Sequence, residues 1–171
     1  MTGVTLTSSA ITLYKPDGTS WTSTSVTSSG GSGSLDQPTA LPPTGTYTVR
    51  VNPTGAATGV VTLTLSSEVT GTVTINDPAM PVTLARPGQN GRVTFSGTSG
   101  QQVTVRVTGN TVGNVTINVY RPDGSYLTAG GSAAASFNLT TTTLPTTGPY
   151  TITINPTTTT TGSLNLQVTS P

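Results

Sequence analysis

The sequence contains no cysteine and no histidine, and only 6% of its 171 residues are charged. Without cysteine, the protein has no disulfide framework and no thiol nucleophile. Without histidine, it cannot assemble a Ser-His-Asp or Cys-His catalytic system. Zinc sites nearly always use one of these two residue types, so a zinc centre is excluded as well.

The few acidic residues are dispersed along the chain, at Asp17, Asp36, Glu68, Asp77 and Asp123. A glycosidase needs two carboxylates that face one cleft, and a calcium site needs several oxygen ligands together. Turn chemistry already explains two of the five carboxylates, because Asp favours tight turns. We therefore predict that the protein is not an enzyme and has no catalytic, cofactor-binding or metal-binding residues.

The six basic residues are scattered, and the net charge is +1. Nucleic-acid affinity comes mostly from clustered Lys and Arg, so no nucleic-acid partner is predicted. No apolar run approaches the ~18 residues of a membrane-spanning helix. The opening residues MTGVTLTSSA lack the basic and apolar regions of a signal peptide, so we expect any secretion signal to lie outside this chain.

The residues that are present favour β-strands. Thr makes up about a quarter of the chain, and Thr with Val and Ile suits a half-buried pleated surface. Apolar and polar residues alternate in many short segments bounded by Gly, Pro, Asn and Ser, which predicts an all-β protein folded as an antiparallel β-sandwich. The segments are TYTVRV (46–51), VTLTL (61–65), VTVRV (103–107), VTINV (115–119), YTITI (150–154) and LNLQV (164–168).

A tight turn occurs twice, as YKPDGT (14–19) and YRPDGS (120–125). Pro presets φ for the first central position of a type I turn, Asp suits the second, and Gly accepts the left-handed position that follows. Each copy follows an alternating segment, so each is predicted to join two strands of a hairpin. The structural turn residues are Pro16, Asp17, Gly18, Pro122, Asp123 and Gly124.

The repetition extends beyond these turns. LPPTGTYTVRVNPTGAATG (41–59) aligns without a gap to LPTTGPYTITINPTTTTTG (144–162), and each is followed by an alternating segment. Residues 1–67 match only the later part of the second copy and lack an equivalent of residues 82–107. We therefore predict a partial module at 1–67, a junction at 68–75 and a complete module at 76–171.

Residues 114–168 combine an alternating strand, Y-x-PDG, a variable loop, LP-x-TG-x-Y and a Gly before the last strand. This order resembles the bacterial pre-peptidase C-terminal domain, which occurs in tandem in large bacterial surface and YD-repeat proteins. The resemblance covers residues 11–65 and 93–168. It implies a small jelly-roll-like sandwich that is non-catalytic, extracellular or at the cell surface, and appended to enzymes or surface proteins.

Some members of that family bind sugar or calcium, but this chain has few of the acidic loop residues that calcium would need. Trp21 is a candidate sugar platform, although it aligns with Leu127, which favours a core position. Tyr126 aligns with Ser20 and is the better candidate for an exposed, ligand-facing aromatic. Tyr47 and Tyr150 are predicted to be core residues whose hydroxyls bond to nearby backbone.

The leading hypothesis is a structural or adhesive module of an extracellular bacterial surface or filament protein. A carbohydrate-binding accessory module that recognises a cell-surface glycan is the alternative, and ice binding is a third hypothesis suggested by the T-x-T pairs. The missing strands of residues 1–67 raise a further possibility, since exposed strand edges readily accept another chain. The partial module is completed by strands added from within the chain or from a neighbouring copy in an oligomer or filament, or it packs as a smaller sheet.

Overall fold

The computed structural model describes residues 1–29, 31–35, 41 and 44–171. The described residues contain strands, turns and loops but no helix, which confirms the prediction of an all-β fold. The chain divides into two compact units, with unit 1 at Met1–Leu65 and unit 2 at Ser66–Pro171.

The alternating segments form most of the strands. Unit 1 contains β1 (Ser8–Tyr14), β2 (Ser20–Thr27) and β3 (Thr48–Pro53). Unit 2 contains β4 (Val69–Thr72), β5 (Met80–Leu84), β6 (Gly91–Gly97), β7 (Gln102–Thr108), β8 (Val115–Tyr120), β9 (Tyr126–Ser132), β10 (Phe137–Asn138), β11 (Thr142–Thr143), β12 (Gly148–Pro156) and β13 (Gly162–Thr169).

Unit 2 is a sandwich of two sheets. The first sheet has the strand order β4-β6-β12-β8-β9, and the second has the order β10-β7-β13-β5, with β11 also paired to β7. Strand pairs are antiparallel, apart from the parallel pair of β4 and β6. Because side chains alternate across a strand, every second residue of the central strands enters the core between the sheets. Strands β12 and β13 bury Tyr150, Ile152, Ile154, Leu164, Leu166 and Val168.

The described residues of unit 1 form a single three-stranded sheet with the order β2-β1-β3. Two isolated bridges lie outside this sheet, from Thr2 to Ser32 and from Thr2 to Thr62. The buried core of the described part of this unit is small and consists of Met1, Val4, Leu6, Ile11 and Val26.

The sheet of unit 1 has the same strand pairing and register as part of the first sheet of unit 2. Ile11 of β1 pairs with Val51 of β3, as Ile117 of β8 pairs with Ile154 of β12. The β1–β2 and β8–β9 hairpins both shift register just before the Pro-Asp-Gly turn. The bridge between Thr2 and Thr62 corresponds to the pairing of Thr108 with Asn165, so Thr2 occupies the position of the last residue of β7. Unit 1 thus reproduces the arrangement of β8, β9 and β12.

The structure corrects the strand predicted at VTLTL (61–65). Apart from the bridge at Thr62, these residues form no strand. Their counterpart in unit 2 is β13, which lies between β7 and β5 and bonds to both. The described residues of unit 1 include no strand corresponding to β5 and only the end of β7. Residues 61–65 therefore have almost no neighbouring strand to pair with.

The predicted junction at 68–75 also differs from what the structure shows. Val69–Thr72 forms β4, which pairs in parallel with β6 at the edge of the first sheet. Val73 is buried in the core of unit 2. These residues are therefore part of unit 2, because their alternation places Val69, Gly71 and Val73 on the core side of an edge strand.

Candidate functional site

The first Pro-Asp-Gly turn is held together by the Asp side chain. Asp17 Oδ1 accepts hydrogen bonds from the Thr19 hydroxyl at 2.6 Å and from the Thr19 N–H at 2.8 Å. These bonds, with the nearby Lys15, keep the pKa of Asp17 below its ordinary value. Gly18 has φ = 80°, and Pro16 packs beside Gly45.

The second turn repeats this geometry. Asp123 Oδ1 accepts a bond from the Ser125 N–H at 2.8 Å, and bonds from Ser125 lower the pKa of the Asp123 carboxyl. Gly124 has φ = 81°, and Pro122 packs beside Gly148. Each aspartate carboxylate accepts hydrogen bonds from within its own turn, so both aspartates have a structural role.

Glu68 is paired with Arg92. Arg92 Nε donates to Glu68 Oε2 at 2.6 Å, and Nη2 donates to Oε1 at 3.0 Å. The bond to Glu68 raises the pKa of Arg92. This two-bond contact links the start of β4 to β6. Among the described residues, no three His, Cys, Asp or Glu side chains lie close enough to hold a metal ion, and Asp36 lies outside those residues.

The two structural tyrosines occupy equivalent positions of the repeat but different environments, since Tyr150 lies in β12 and Tyr47 directly precedes β3. Tyr150 is buried, and its hydroxyl donates to the Thr146 carbonyl oxygen at 2.6 Å. Its ring stacks on Phe95 of β6, with centroids 5.2 Å apart. Tyr47 is half-buried, and the counterpart of its backbone contact falls on residue 43, outside the described residues.

The candidate sugar-facing aromatics lie in different units. Trp21 is half-buried rather than fully in the core, and its ring lies 6.0 Å from that of Tyr47. Tyr126 is 55% exposed and lies edge-on to Tyr120 at 6.3 Å. Among the described residues, Tyr126 is thus the exposed tyrosine, and it contacts the half-buried Tyr120 on the β8–β9 hairpin.

A further surface, which the sequence did not identify as a site, is the apolar inner side of unit 1. We call Val49, Val51, Val61 and Leu63 the open face. Val49 is 47% exposed and Leu63 is 45% exposed, whereas their equivalents in unit 2, Ile152 and Leu166, are completely buried.

An open groove of about 530 Å³ adjoins this face. It is lined by Leu6, Val51, Pro53, Ala57, Thr58, Gly59, Val60 and Val61. Core positions of the repeat are thus accessible in unit 1. The repeat alignment could have predicted this surface. It showed that residues 1–67 lack an equivalent of residues 82–107, and the side chains that those strands would cover are left exposed.

Known proteins resemble this chain in fold and not in sequence. No family model matches the chain, and no curated protein sequence matches it. Among solved structures, the pre-peptidase C-terminal domain of collagenase from Bacillus anthracis matches with a TM-score of 0.50 and 14% sequence identity. The match covers 61% of this chain and 99% of that chain. The fold is that of the pre-peptidase C-terminal domain.

The pre-peptidase C-terminal fold was the expectation from the Y-x-PDG and LP-x-TG-x-Y order, and the structural match confirms it. The matched share of the chain is close in length to unit 2. A periplasmic inhibitor of g-type lysozyme, PliG from Aeromonas hydrophila, matches with a TM-score of only 0.39 and 16% identity, over 59% of this chain and 95% of that chain. That score is too low to establish a shared fold.

The described residues hold no helix with the length and apolar character that a bilayer span requires.

Proposed function

We propose that the chain is a non-catalytic structural or adhesive β-module of an extracellular bacterial surface or filament protein. The observation that carries this proposal is the duplication of one β-architecture within the chain, down to strand register and turn geometry. Repeated modules of this kind suit a protein that is extended by adding copies of one unit, as a spacer or filament is.

The outward surface of the strands supports this role. Hydroxyl pairs link Thr72 of β4 to Thr94 of β6 at 3.1 Å, and Thr104 of β7 to Thr141, just before β11, at 2.7 Å. The interactions of an uncharged polar surface depend little on ionic strength, because salt screens interactions between charges and not those between hydroxyl groups. A module exposed to changing salt outside the cell benefits from that property.

The structural neighbour also supports an extracellular accessory module. The matched domain is one part of a collagenase, so the same fold occurs there as an appended unit. The proposal predicts that the protein is found in the culture supernatant or on intact cells of its native bacterium. Fractionation followed by immunoblotting tests this, and recovery in the cytosol alone would overturn the extracellular assignment.

A carbohydrate-binding module is the second candidate, favoured by the exposed Tyr126 and its edge contact with Tyr120. An exposed aromatic ring offers an apolar face with a polar tip, which suits contact with sugars. Affinity electrophoresis against a panel of polysaccharides separates the two functions. Retardation that is lost in Tyr126→Ala but kept in Tyr120→Phe would favour glycan binding, and absence of retardation favours the structural module.

A further inference from the structure

The open edge of β3 presents unpaired backbone groups. Strand β3 pairs with β1 on one side, and no strand of the described residues pairs with its other side. The Thr54 N–H donates to the Ser8 carbonyl at 3.0 Å. This bond shows that residues 54, 52 and 50 direct their N–H groups toward β1. Because hydrogen-bonding direction alternates along a strand, the N–H groups of Val49 and Val51 point to the open edge.

Unit 2 shows what occupies the equivalent edge. There, β6 pairs antiparallel with β12, placing Val93 opposite Ile152 and Gly91 opposite Ile154. The same strand supplies Phe95, which stacks on Tyr150. Val49 and Val51 of unit 1 are the repeat equivalents of Ile152 and Ile154. A strand bound to β3 in the same register would therefore place its counterparts of Val93 and Gly91 opposite Val49 and Val51.

The structure points to a specific occupant for this edge. We propose that unit 1 is an acceptor for β-strand addition, in which β3 binds an extended segment of a separate polypeptide chain with the residue pattern of β6. That segment runs antiparallel to β3, carries apolar residues at alternate positions and has a small residue opposite Val51. Strand β6 of the same chain is not available, since β4 and β12 already pair with its two edges.

Both parts of the acceptor contribute to such binding. Main-chain hydrogen bonds along the edge provide affinity, and alternate side chains entering the apolar groove provide specificity. The open face supplies apolar area that is exposed without an occupant, in particular at Val49 and Leu63. Covering it with the inward side of the added strand removes that area from water.

A synthetic peptide with the sequence of residues 89–99 tests the proposal, with binding followed by the anisotropy of an attached fluorophore. In unit 2 the N–H groups of Val93 and Phe95 face β12, whereas that of Thr94 faces β4. An N-methyl group on the Val93 nitrogen should therefore weaken binding by about tenfold or more, the factor expected from one lost hydrogen bond with its steric clash. N-methylation at Thr94 is the matched control, because it has the same mass and leaves the acceptor-facing edge intact.

Cross-linking locates the binding site, since the chain has no cysteine of its own. The repeat places Thr48 opposite position 94 of the peptide, as Thr151 lies opposite Thr94. A Thr48→Cys protein should form a disulfide with a Thr94→Cys peptide and much less with a Ser96→Cys peptide, which lies two residues out of register.

Each contrary result overturns the proposal. Absence of saturable binding, or equal binding of the two N-methylated peptides, would show that β3 does not accept a strand in this register. A disulfide-linked dimer of the Thr48→Cys protein that forms without peptide, together with a dimer in sedimentation, would show that β3 of a second copy occupies this edge instead of a segment with the pattern of β6.

Discussion

Single residues determine the two Pro-Asp-Gly turns through backbone conformation rather than through packing. Gly18 and Gly124 have φ values of 80° and 81°, and a Cβ added at either position would meet no atom within 4 Å. Any cost of substitution there comes from the left-handed conformation itself, which β-branched residues tolerate poorly.

Gly124→Val should therefore lower the free energy of unfolding of unit 2 by about 1–3 kcal/mol, the usual cost of a non-glycine residue in a strained conformation. Gly124→Asn is the control, because Asn enters the left-handed region more readily and should cost clearly less. Urea titration of both variants provides the comparison. Wild-type stability in Gly124→Val would show that the turn does not depend on a left-handed residue.

Ser9 illustrates a residue that departs from the repeat. It is completely buried, and its hydroxyl has no hydrogen-bond partner in the described part of the chain. The equivalent residue in unit 2 is Val115, which is buried in the core.

We expect Ser9→Val to raise the stability of unit 1 by about 1–3 kcal/mol, because it removes a buried hydroxyl that bonds to none of the described residues. Ser9→Ala removes the same hydroxyl without adding volume and separates the polar effect from the packing effect. Thermal unfolding followed by Trp21 fluorescence reports on unit 1 alone, since Trp21 is the only tryptophan. Destabilisation by both substitutions would mean that the Ser9 hydroxyl is stabilising.

At the scale of strands, the same sequence pattern leads to different structures in the two units. Residues 164–168 are part of β13, held between β5 and β7, whereas the equivalent residues 61–65 have one bridge. A strand needs partners on its edges and a covering layer on its apolar side, and among the described residues only unit 2 supplies both.

Leu166→Ala and Leu63→Ala make a matched pair for this difference. Leu166 is completely buried, so its truncation should cost about 2–5 kcal/mol in unit 2. Leu63 is 45% exposed, and its truncation should cost below about 1 kcal/mol in unit 1. Denaturant titration of the two variants measures both values, and similar losses would show that Leu63 is covered in solution.

On the scale of the whole molecule, the two units differ in the size of their cores. Twenty residues form the buried core of unit 2, and five form that of unit 1 among the residues described. Because apolar burial is the dominant stabilising contribution to folding, unit 1 should be the less stable unit.

We therefore expect two unfolding transitions. Trp21 fluorescence should change at a lower urea concentration than the main part of the far-UV circular dichroism signal, to which unit 2 contributes most strands. A Trp21→Phe variant should keep the two-step dichroism curve while losing the fluorescence change. Coincident midpoints for both signals would indicate that the units unfold together.

By itself, the sequence determined the fold class, most of the strands, the two turns and the internal repeat. These features follow from alternation, turn chemistry and self-similarity, which are local properties of the chain. Tertiary structure decided what the sequence misassigned: the absent strand at 61–65, the edge strand at 69–72 and the half-burial of Tyr47. Each of these depends on whether a neighbouring strand is there to pair with or to cover it. Alternation specifies which side of a strand is apolar, but partners distant in sequence decide whether that side is buried.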